Sequence, residues 1–323
     1  MKLSIIIVNY KAWRHIQAAL DELRDGFPDD WEIIIVDNES DAAELATYQG
    51  RYPWVTMIGN PRNSGFGTGC NIGVERASGE QLLFMNPDVI ATVEEIRELI
   101  QQKAAHPDVG VLSPKQVGKD GKPQKVFDEF PGFLNQSKIL KLLLRVLMPW
   151  RRPNPRGKHE GLVYCDWITG SFLLIDSADL ERIGGWSRDY WMYVEDADLC
   201  KRAQDAGLKV TYTPSVEVIH EHGGSSRINV DVKSMTKLEV IISKHVYVQN
   251  HLSGIRRWAT HVFIAMLRIP GLFLATMLDI LTFGRIANLK VRRRMLIGLI
   301  RYYKGVVRTG NWLSTRARAN QLV

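Results

Sequence analysis

Gln81-Leu-Leu-Phe-Met85-Asn86-Pro87-Asp88-Val89 is the stretch on which the fold turns. Its first five residues form a short, bounded apolar run, as a buried strand does. Pro87 has no backbone N–H and cannot continue a central strand, so the strand ends before it. Asp88 then stands just past a strand's carboxyl end, where open α/β sheets bind ligands. An acid capping a helix that begins near Thr92 would look the same locally. Its setting adds weight: two nucleotide-like segments lie upstream and an acidic pair, Glu195-Asp196, lies downstream.

Outward from this stretch, strands and helices alternate. Residues 3–8, 32–36 and 55–58 read as strands, and residues 13–23, 67–77 and 92–106 as helices. This alternation predicts an α/β fold with a doubly wound, mostly parallel sheet. The pattern changes near residue 114. Residues 115–125 are polar and turn-rich, and residues 137–148 form an apolar helix bearing Lys138, Lys141 and Arg145. Residues 151–158 are rich in Pro and Arg and read as an exposed loop. Strands at 171–175 and 209–212 flank a helix at 196–206 that ends at Gly207. From Val230 the chain reads as helical, giving a domain at 1–229 and a basic, apolar helical region at 230–323.

The chain's 323 residues, 45% of them hydrophobic, suffice for a sizeable core. Its net charge of +7 is uneven: residues 255–323 carry thirteen Lys/Arg against one acid, Asp279. That region is +12, which leaves −5 for the rest. A basic tail on an acidic body points to an anionic partner. The tail's aromatics lie in long apolar runs rather than on a stacking platform, which argues for a membrane surface and against nucleic acid. Three cysteines, Cys70, Cys165 and Cys200, show no metal-ligand spacing and fit a reducing cytoplasmic setting. Residues 3–8 are too short for a signal peptide and lack a cleavage pattern.

Five segments carry candidate chemistry. Asp37 ends an apolar run, where an acid binds a base edge or a ribose hydroxyl, or else caps a turn. Asn60…Asn63-Ser-Gly65-Phe-Gly67-Thr-Gly69-Cys-Asn71-Ile-Gly73 is dense in glycine, but a Gly-x-Gly-x-x-Gly register would need glycine at Cys70 or Ile72. These glycines admit phosphate to backbone amides at a helix start, or let a helix pack closely. Asp88 is a ligand for a hard cation such as magnesium or manganese, which takes one or two carboxylates plus substrate phosphates. Glu195, Asp196 and Asp198 suit a helix's first turn electrostatically; functionally, one of the adjacent pair serves as a general base. Asp198 can pair with Arg202, four residues on. His220 and His222, two apart at a strand end beside Gly-Gly-Ser-Ser-Arg227, offer a metal ligand and an orienting or phosphate-binding partner.

As an ordered set these residues resemble the family two glycosyltransferases with the GT-A fold, in particular the rhamnosyltransferase-like branch of bacterial polysaccharide assembly. The similarity rests on Ser4-Ile-Ile-Ile-Val-Asn-Tyr10, Val36-Asp-Asn38, Asn63-Ser-Gly-Phe-Gly67…Asn71-Ile-Gly73, Asn86-Pro-Asp88, Gly184-Gly-Trp186…Glu195-Asp-Ala-Asp-Leu-Cys200…Arg202 and Pro214…His220. It spans residues 1–227 and not the tail. It implies an inverting transfer from a nucleotide-diphosphate sugar, dTDP-rhamnose first and a UDP-sugar second, to a glycan or polyprenyl-linked acceptor. It further implies that Asp37 contacts the base and that Asn38, Asn63, Gly65, Gly67, Asn71, Asn86 and Arg227 line the donor side. Asp88 with His220 and His222 would hold a divalent cation, Mn or Mg. Asp196 would be the base, with Glu195 beside it. Asn86 departs from the pattern, standing where many members carry the first acid of Asp-x-Asp; a neutral amide is a weaker cation ligand. A sugar nucleotidyltransferase and a non-catalytic glycan-assembly scaffold are the competing expectations.

Residues 262–284 form the most apolar long stretch, interrupted by Arg268, Pro270 and Asp279. About fourteen residues after Pro270 give roughly 21 Å of helix, short of a ~30 Å hydrocarbon core. The expectation is two interfacial helices broken at Pro270-Gly271, on the inner face of the cytoplasmic membrane, or else a bundle contact or homo-oligomer.

Overall fold

The computed structural model describes residues 2–39, 41–148, 153–221 and 229–321, the side chains of Lys138 and Arg145 excepted. In chain order its elements are β1 (Leu3–Asn9), α1 (Trp13–Arg24), β2 (Trp31–Asn38), α2 (Ala42–Arg51), β3 (Thr56–Asn60), α3 (Phe66–Val74), β4 (Gln81–Met85), β5 (Val89–Ile90) and α4 (Val93–Ala104). There follow β6 (Val109–Val117), β7 (Phe127–Asp128), α5 (Lys138–Leu147), β8 (Val163–Tyr164), β9 (Trp167–Ile168), β10 (Phe172–Asp176), α6 (Ser177–Arg182), α7 (Glu195–Asp205) and β11 (Lys209–His220). Four helices close the chain: α8 (Val230–His251), α9 (Gly254–Leu281), α10 (Ala287–Thr309) and α11 (Thr315–Asn320). The chain divides into two compact units. One comprises Met1–Phe130, Asn154–Ser187 and Glu195–Ser225; the other comprises Pro131–Pro153, Arg188–Val194 and Ser226–Val323.

The first unit is built on a mixed sheet in the order β3-β2-β1-β4-β10-β6-β11-β5, with β8 pairing on β11. Strands β3, β2, β1 and β4 are mutually parallel. β1, β2 and β4 are apolar along most of their length because helices cover both faces, and every residue of β1 and β4 is buried, whereas the edge strand β3 has no buried residue. Between β4 and β6 the chain inserts β10 antiparallel to both, and β11 returns parallel to β6. The chain leaves β1 for β2 on one side and comes back from β3 to β4 on the other. The crevice past the ends of β1 and β4 is therefore the topological switch point.

Two sequence expectations change here. The strand expected at 209–212 is the twelve-residue β11, and the turn-rich stretch from 115 begins inside β6. Pro214 sits at a register shift between Thr213 and Glu217, so its missing N–H removes no ladder bond and pairing resumes beyond it.

The second unit is helical and has its own core of Ile241, Val248, Ile264, Leu296 and Leu299. Here the expected break at Pro270-Gly271 does not occur. Helix α9 runs unbroken for 28 residues with Pro270 inside it. Proline in a helix interior costs about 3 kcal/mol. Packing on either side, through Ile264, Leu272 and Ala275, offsets that cost.

Candidate active site

The site is assembled at the carboxyl ends of β1, β2 and β4. Asp37 lies at the end of β2, in register with Asn9 at the end of β1. Both are buried, and Asn9 Nδ2 donates to Asp37 Oδ1 at 2.6 Å. The caps of α1 and α2 are Ala12 and Asp41, so Asp37 is not a helix cap. Asn9, unassigned from sequence, orients it.

Asn38 has a structural task. Its Oδ1 accepts from Asn60 Nδ2 at 2.7 Å and from the Ser64 N–H at 3.1 Å, and its Nδ2 donates to the Gly65 carbonyl at 3.0 Å. Asn63 Oδ1 takes the Gly65 N–H at 3.1 Å. Together these amides fasten the loop from Asn60 to Gly65. Gly65 begins α3 with φ +84°, a conformation that L-residues with side chains seldom adopt.

The other glycines serve packing. A Cβ on Gly69 would lie 2.8 Å from Val8, one on Gly73 2.6 Å from Ile6, and one on Gly67 3.3 Å from Trp186. Asn71, expected near the nucleotide, instead brackets Trp186. Its Nδ2 donates to the Trp186 carbonyl at 2.8 Å and its Oδ1 accepts the Trp186 N–H at 3.0 Å. Trp186 is buried and meets Phe66 and Phe84 edge-on.

Asp88 and His220 come together. His220 Nε2 lies 3.4 Å from Asp88 Oδ1, and the Glu221 N–H donates to the Asp88 carbonyl at 2.9 Å. Thr92, through a capping box with Glu95, caps α4, so Asp88 is free of that task. His220 Nδ1 contacts Gln116 Oε1 at 2.8 Å, and Ser171 Oγ donates to the same oxygen at 2.9 Å. An amide oxygen only accepts, so Nδ1 donates to Gln116 and Nε2 is the ring nitrogen that faces the Asp88 carboxylate. The donor set, one carboxylate and one imidazole held by an outer amide, suits a hard divalent ion completed by phosphate and water. Among the described residues no group of three or more His, Cys, Asp and Glu side chains converges on a metal position. His222 and Arg227 lie outside the described residues.

Glu195 and Asp196 open α7, and their environments separate them. The Glu195 carboxyl is buried and Oε2 has no hydrogen-bond partner among the described residues. Burial, with the neighbouring Asp196 charge behind it, pushes the Glu195 carboxyl well above the ordinary carboxylate range. Burial also raises Asp196, to about 6; the Ala197 and Gly170 N–H groups hold it lower than burial alone would. These amides donate to Asp196 Oδ1 at 2.8 Å and Oδ2 at 3.3 Å. Asp196 is thus ionised at neutral pH with a pKa close to it, as a general base requires. Asp198 pairs with Arg202 Nε at 2.8 Å, and Arg202 Nη1 donates to the Gly185 carbonyl at 2.8 Å, pinning the turn before Trp186. Tyr193 and Val194, just ahead in sequence, have φ of +69° and +70°. Each left-handed non-glycine residue costs ~1–3 kcal/mol, and such strain clusters at functional sites.

One backbone segment joins the two clusters. Gly170 N–H reaches Asp196, the Ser171 hydroxyl reaches Gln116 and through it His220, and the Ser171 carbonyl accepts the Asn86 N–H at 2.8 Å. Sequence reasoning missed Thr169-Gly170-Ser171 and Gln116. The first shows only as small polar residues before an apolar run, and Gln116 lies 104 residues from His220.

The model of the family described as Glycosyl transferase family 2 matches residues 4–165. The chain belongs to glycosyl transferase family 2 and is a glycosyltransferase. It is 28% identical over 243 residues to an N-acetylglucosaminyl-diphospho-decaprenol L-rhamnosyltransferase of Mycobacterium tuberculosis, covering 69% of this chain and 77% of that one. It is 26% identical over 227 residues to the rhamnosyltransferase WbbL of Escherichia coli, covering 67% of this chain and 82% of that one. In fold it is similar to a mannosyltransferase of Pyrobaculum calidifontis solved with GDP-Man and Mn2+, with a TM-score of 0.53 at 14% identity over 93% of this chain and 86% of that chain. The fold is therefore GT-A, with a mostly parallel central sheet and C-terminal helices.

Proposed function

We propose that the protein is an inverting rhamnosyltransferase that moves the sugar from dTDP-rhamnose, or failing that from a UDP-sugar, to a hydroxyl of a polyprenyl-linked glycan. The observation that carries this is the pairing of an ionised Asp196 with the Asp88–His220 pair through Thr169-Gly170-Ser171. The rhamnosyl and decaprenol assignments are supported by the names of its relatives. The same reading locates the reaction at the inner face of the cytoplasmic membrane, in assembly of a surface polysaccharide.

Asp196 accepts the proton of the acceptor hydroxyl as that oxygen attacks the anomeric carbon, and the nucleoside diphosphate departs from the opposite face. Glu195 is buried beside the base, and that burial disfavours a second charge there. Asp37, held by Asn9, faces the base or ribose. Asp88 and His220 would hold a Mn2+ or Mg2+ ion, which stabilises negative charge on the diphosphate. Gln116 fixes the tautomer His220 needs for this.

A donor screen tests the reading. Release of dTDP should require both dTDP-rhamnose and a polyprenyl-diphosphate glycan, and a chelator should suppress it. Pyrophosphate release from a nucleoside triphosphate would instead establish a nucleotidyltransferase. Tight donor binding with no turnover over any acceptor would establish a scaffold.

A further inference from the structure

The helical unit carries a feature that sugar transfer leaves unexplained. Helix α9 is apolar on two opposite faces. One face, with Ile264, Leu272 and Ala275, is buried. Along the other, Ile255, Trp258, Met266, Phe273 and Ile280 are exposed by 55–75% at spacings of three, four or seven, or of one such step twice over. This outer stripe runs the length of 28 residues, roughly 42 Å at 1.5 Å per residue. A helix packed on a water-soluble bundle is polar on its outer face, so α9 breaks the rule where it faces out. In the same unit α5 repeats the pattern: Ile139, Leu142, Val146 and Leu147 are 62–74% exposed. Phe133, just ahead of α5, stacks on Phe263 of α9 with ring centroids 4.5 Å apart, which ties the two apolar faces together.

We infer that this unit docks on the surface of an anionic lipid bilayer, with α9 lying in the membrane plane and its outer stripe submerged. Length and composition alone would let α9 cross a membrane, its apolar window having a mean hydropathy of 1.8. Its inner face argues against crossing. Thr260, His261 and Asp279 are buried there. His261 Nδ1 lies 2.8 Å from Nδ1 of His245 on α8, and Asp279 lies 2.9 Å from Arg293 Nε on α10. A crossing α9 would draw α10 into the hydrocarbon with Arg292, Arg293, Arg294, Arg301, Lys304 and Arg308. Each such cation costs ~2.5–3.5 kcal/mol at the membrane centre. Flat on the surface, α9 buries only its apolar side.

Charge selects the occupant. Residues 255–323 are +12, so a second copy would bring another +12 to the same face. Anionic headgroups instead neutralise Arg256 on α9 and Arg285 just past its end, both exposed. The inference extends the lipid-linked acceptor reading to a surface of its own. Vesicle binding is measured without sugar transfer, so the two fail separately.

The test is sedimentation with vesicles of phosphatidylglycerol and phosphatidylcholine, against phosphatidylcholine alone. Binding should favour the anionic vesicles, weaken with salt and be released by alkaline carbonate. The double variant Met266→Glu/Phe273→Glu should bind at least tenfold more weakly while keeping the wild-type circular dichroism spectrum and turnover on a water-soluble acceptor. Should that variant misfold, dyes on Ile255→Cys and Ile280→Cys supply the answer: both should be quenched equally by lipids brominated at one depth. Absence of binding, survival of alkaline extraction, unequal dye depths, or a dimer that Met266→Glu/Phe273→Glu dissociates would each overturn the proposal.

Discussion

The two units keep water and apolar surface apart in opposite ways. In the sheet unit, Tyr164 and Ile219 are the only large hydrophobic residues exposed among those described; all the others belong to the helical unit. The sheet unit turns its apolar strands inward and brings acids to the strand ends. The helical unit leaves apolar stripes outside and surrounds them with cations. A sheet flanked by helices can bury every strand, whereas a helix that is apolar on two faces needs a second apolar phase. On the readings proposed above, one unit meets a charged, soluble donor and the other meets lipid.

Separating the two functions is the strongest way to sharpen this contrast. Asp196→Asn should lower kcat by ~10²–10⁴-fold and leave vesicle binding untouched. Near-normal turnover in that variant would move the base elsewhere. In the wild type the carboxylate is the active form, so kcat/KM should fall as pH drops through about 6. The same group has a stability signature. Its folded-state pKa is raised, so the fold favours the protonated form, and stability is lost as pH rises through about 6. Asp196→Asn should therefore unfold at higher urea than wild type at pH 8, with the gap closing near pH 4.

Trp186→Ala should cost about 3–5 kcal/mol, because it empties the contact between Phe66, Phe84 and the Gly67 turn. A midpoint shift in urea of the expected size, with vesicle binding kept, would confine that damage to the sheet unit. Gln116→Leu should weaken Mn2+-dependent binding of dTDP about 10–100-fold, read by calorimetry with and without chelator. Equal affinities in both conditions would remove the cation from Asp88 and His220. The smallest effect is expected of Asn71→Ala, about 1–3 kcal/mol of stability with kcat changed far less, since its amide holds backbone. A large loss of donor affinity without loss of stability would return Asn71 to the nucleotide.

Local signals made much of this legible. The strands at Leu3–Asn9, Trp31–Asn38 and Gln81–Met85 announce themselves as apolar runs, and Pro87 marks where Asp88 emerges. The helix start near Thr92 is legible in sequence, and so is the pairing of Asp198 with Arg202. What stayed hidden depends on partners distant in the chain. Nothing local tells that β10 enters antiparallel, or that Val109–Val117 is a strand, because each is fixed by its neighbours in the sheet. Asn71 and Gly67 carried polar and glycine signals that suit a nucleotide, yet their uses depend on Trp186, more than a hundred residues on. Pro270 signalled a break that packing on both sides of it overrides.

Thr169-Gly170-Ser171 has a further consequence, on the reading proposed above. It works as a ruler. The two ends of the chemistry are joined by one short backbone segment, with successive Cα atoms 3.80 Å apart, and by the hydrogen bonds from Gly170 to Asp196 and from Ser171 through Gln116 to His220. A relative could therefore change which sugar or acceptor it admits by altering loops elsewhere, without realigning the reaction. Lengthening this segment by one residue would put the two ends of the chemistry out of step, however well each end remained formed.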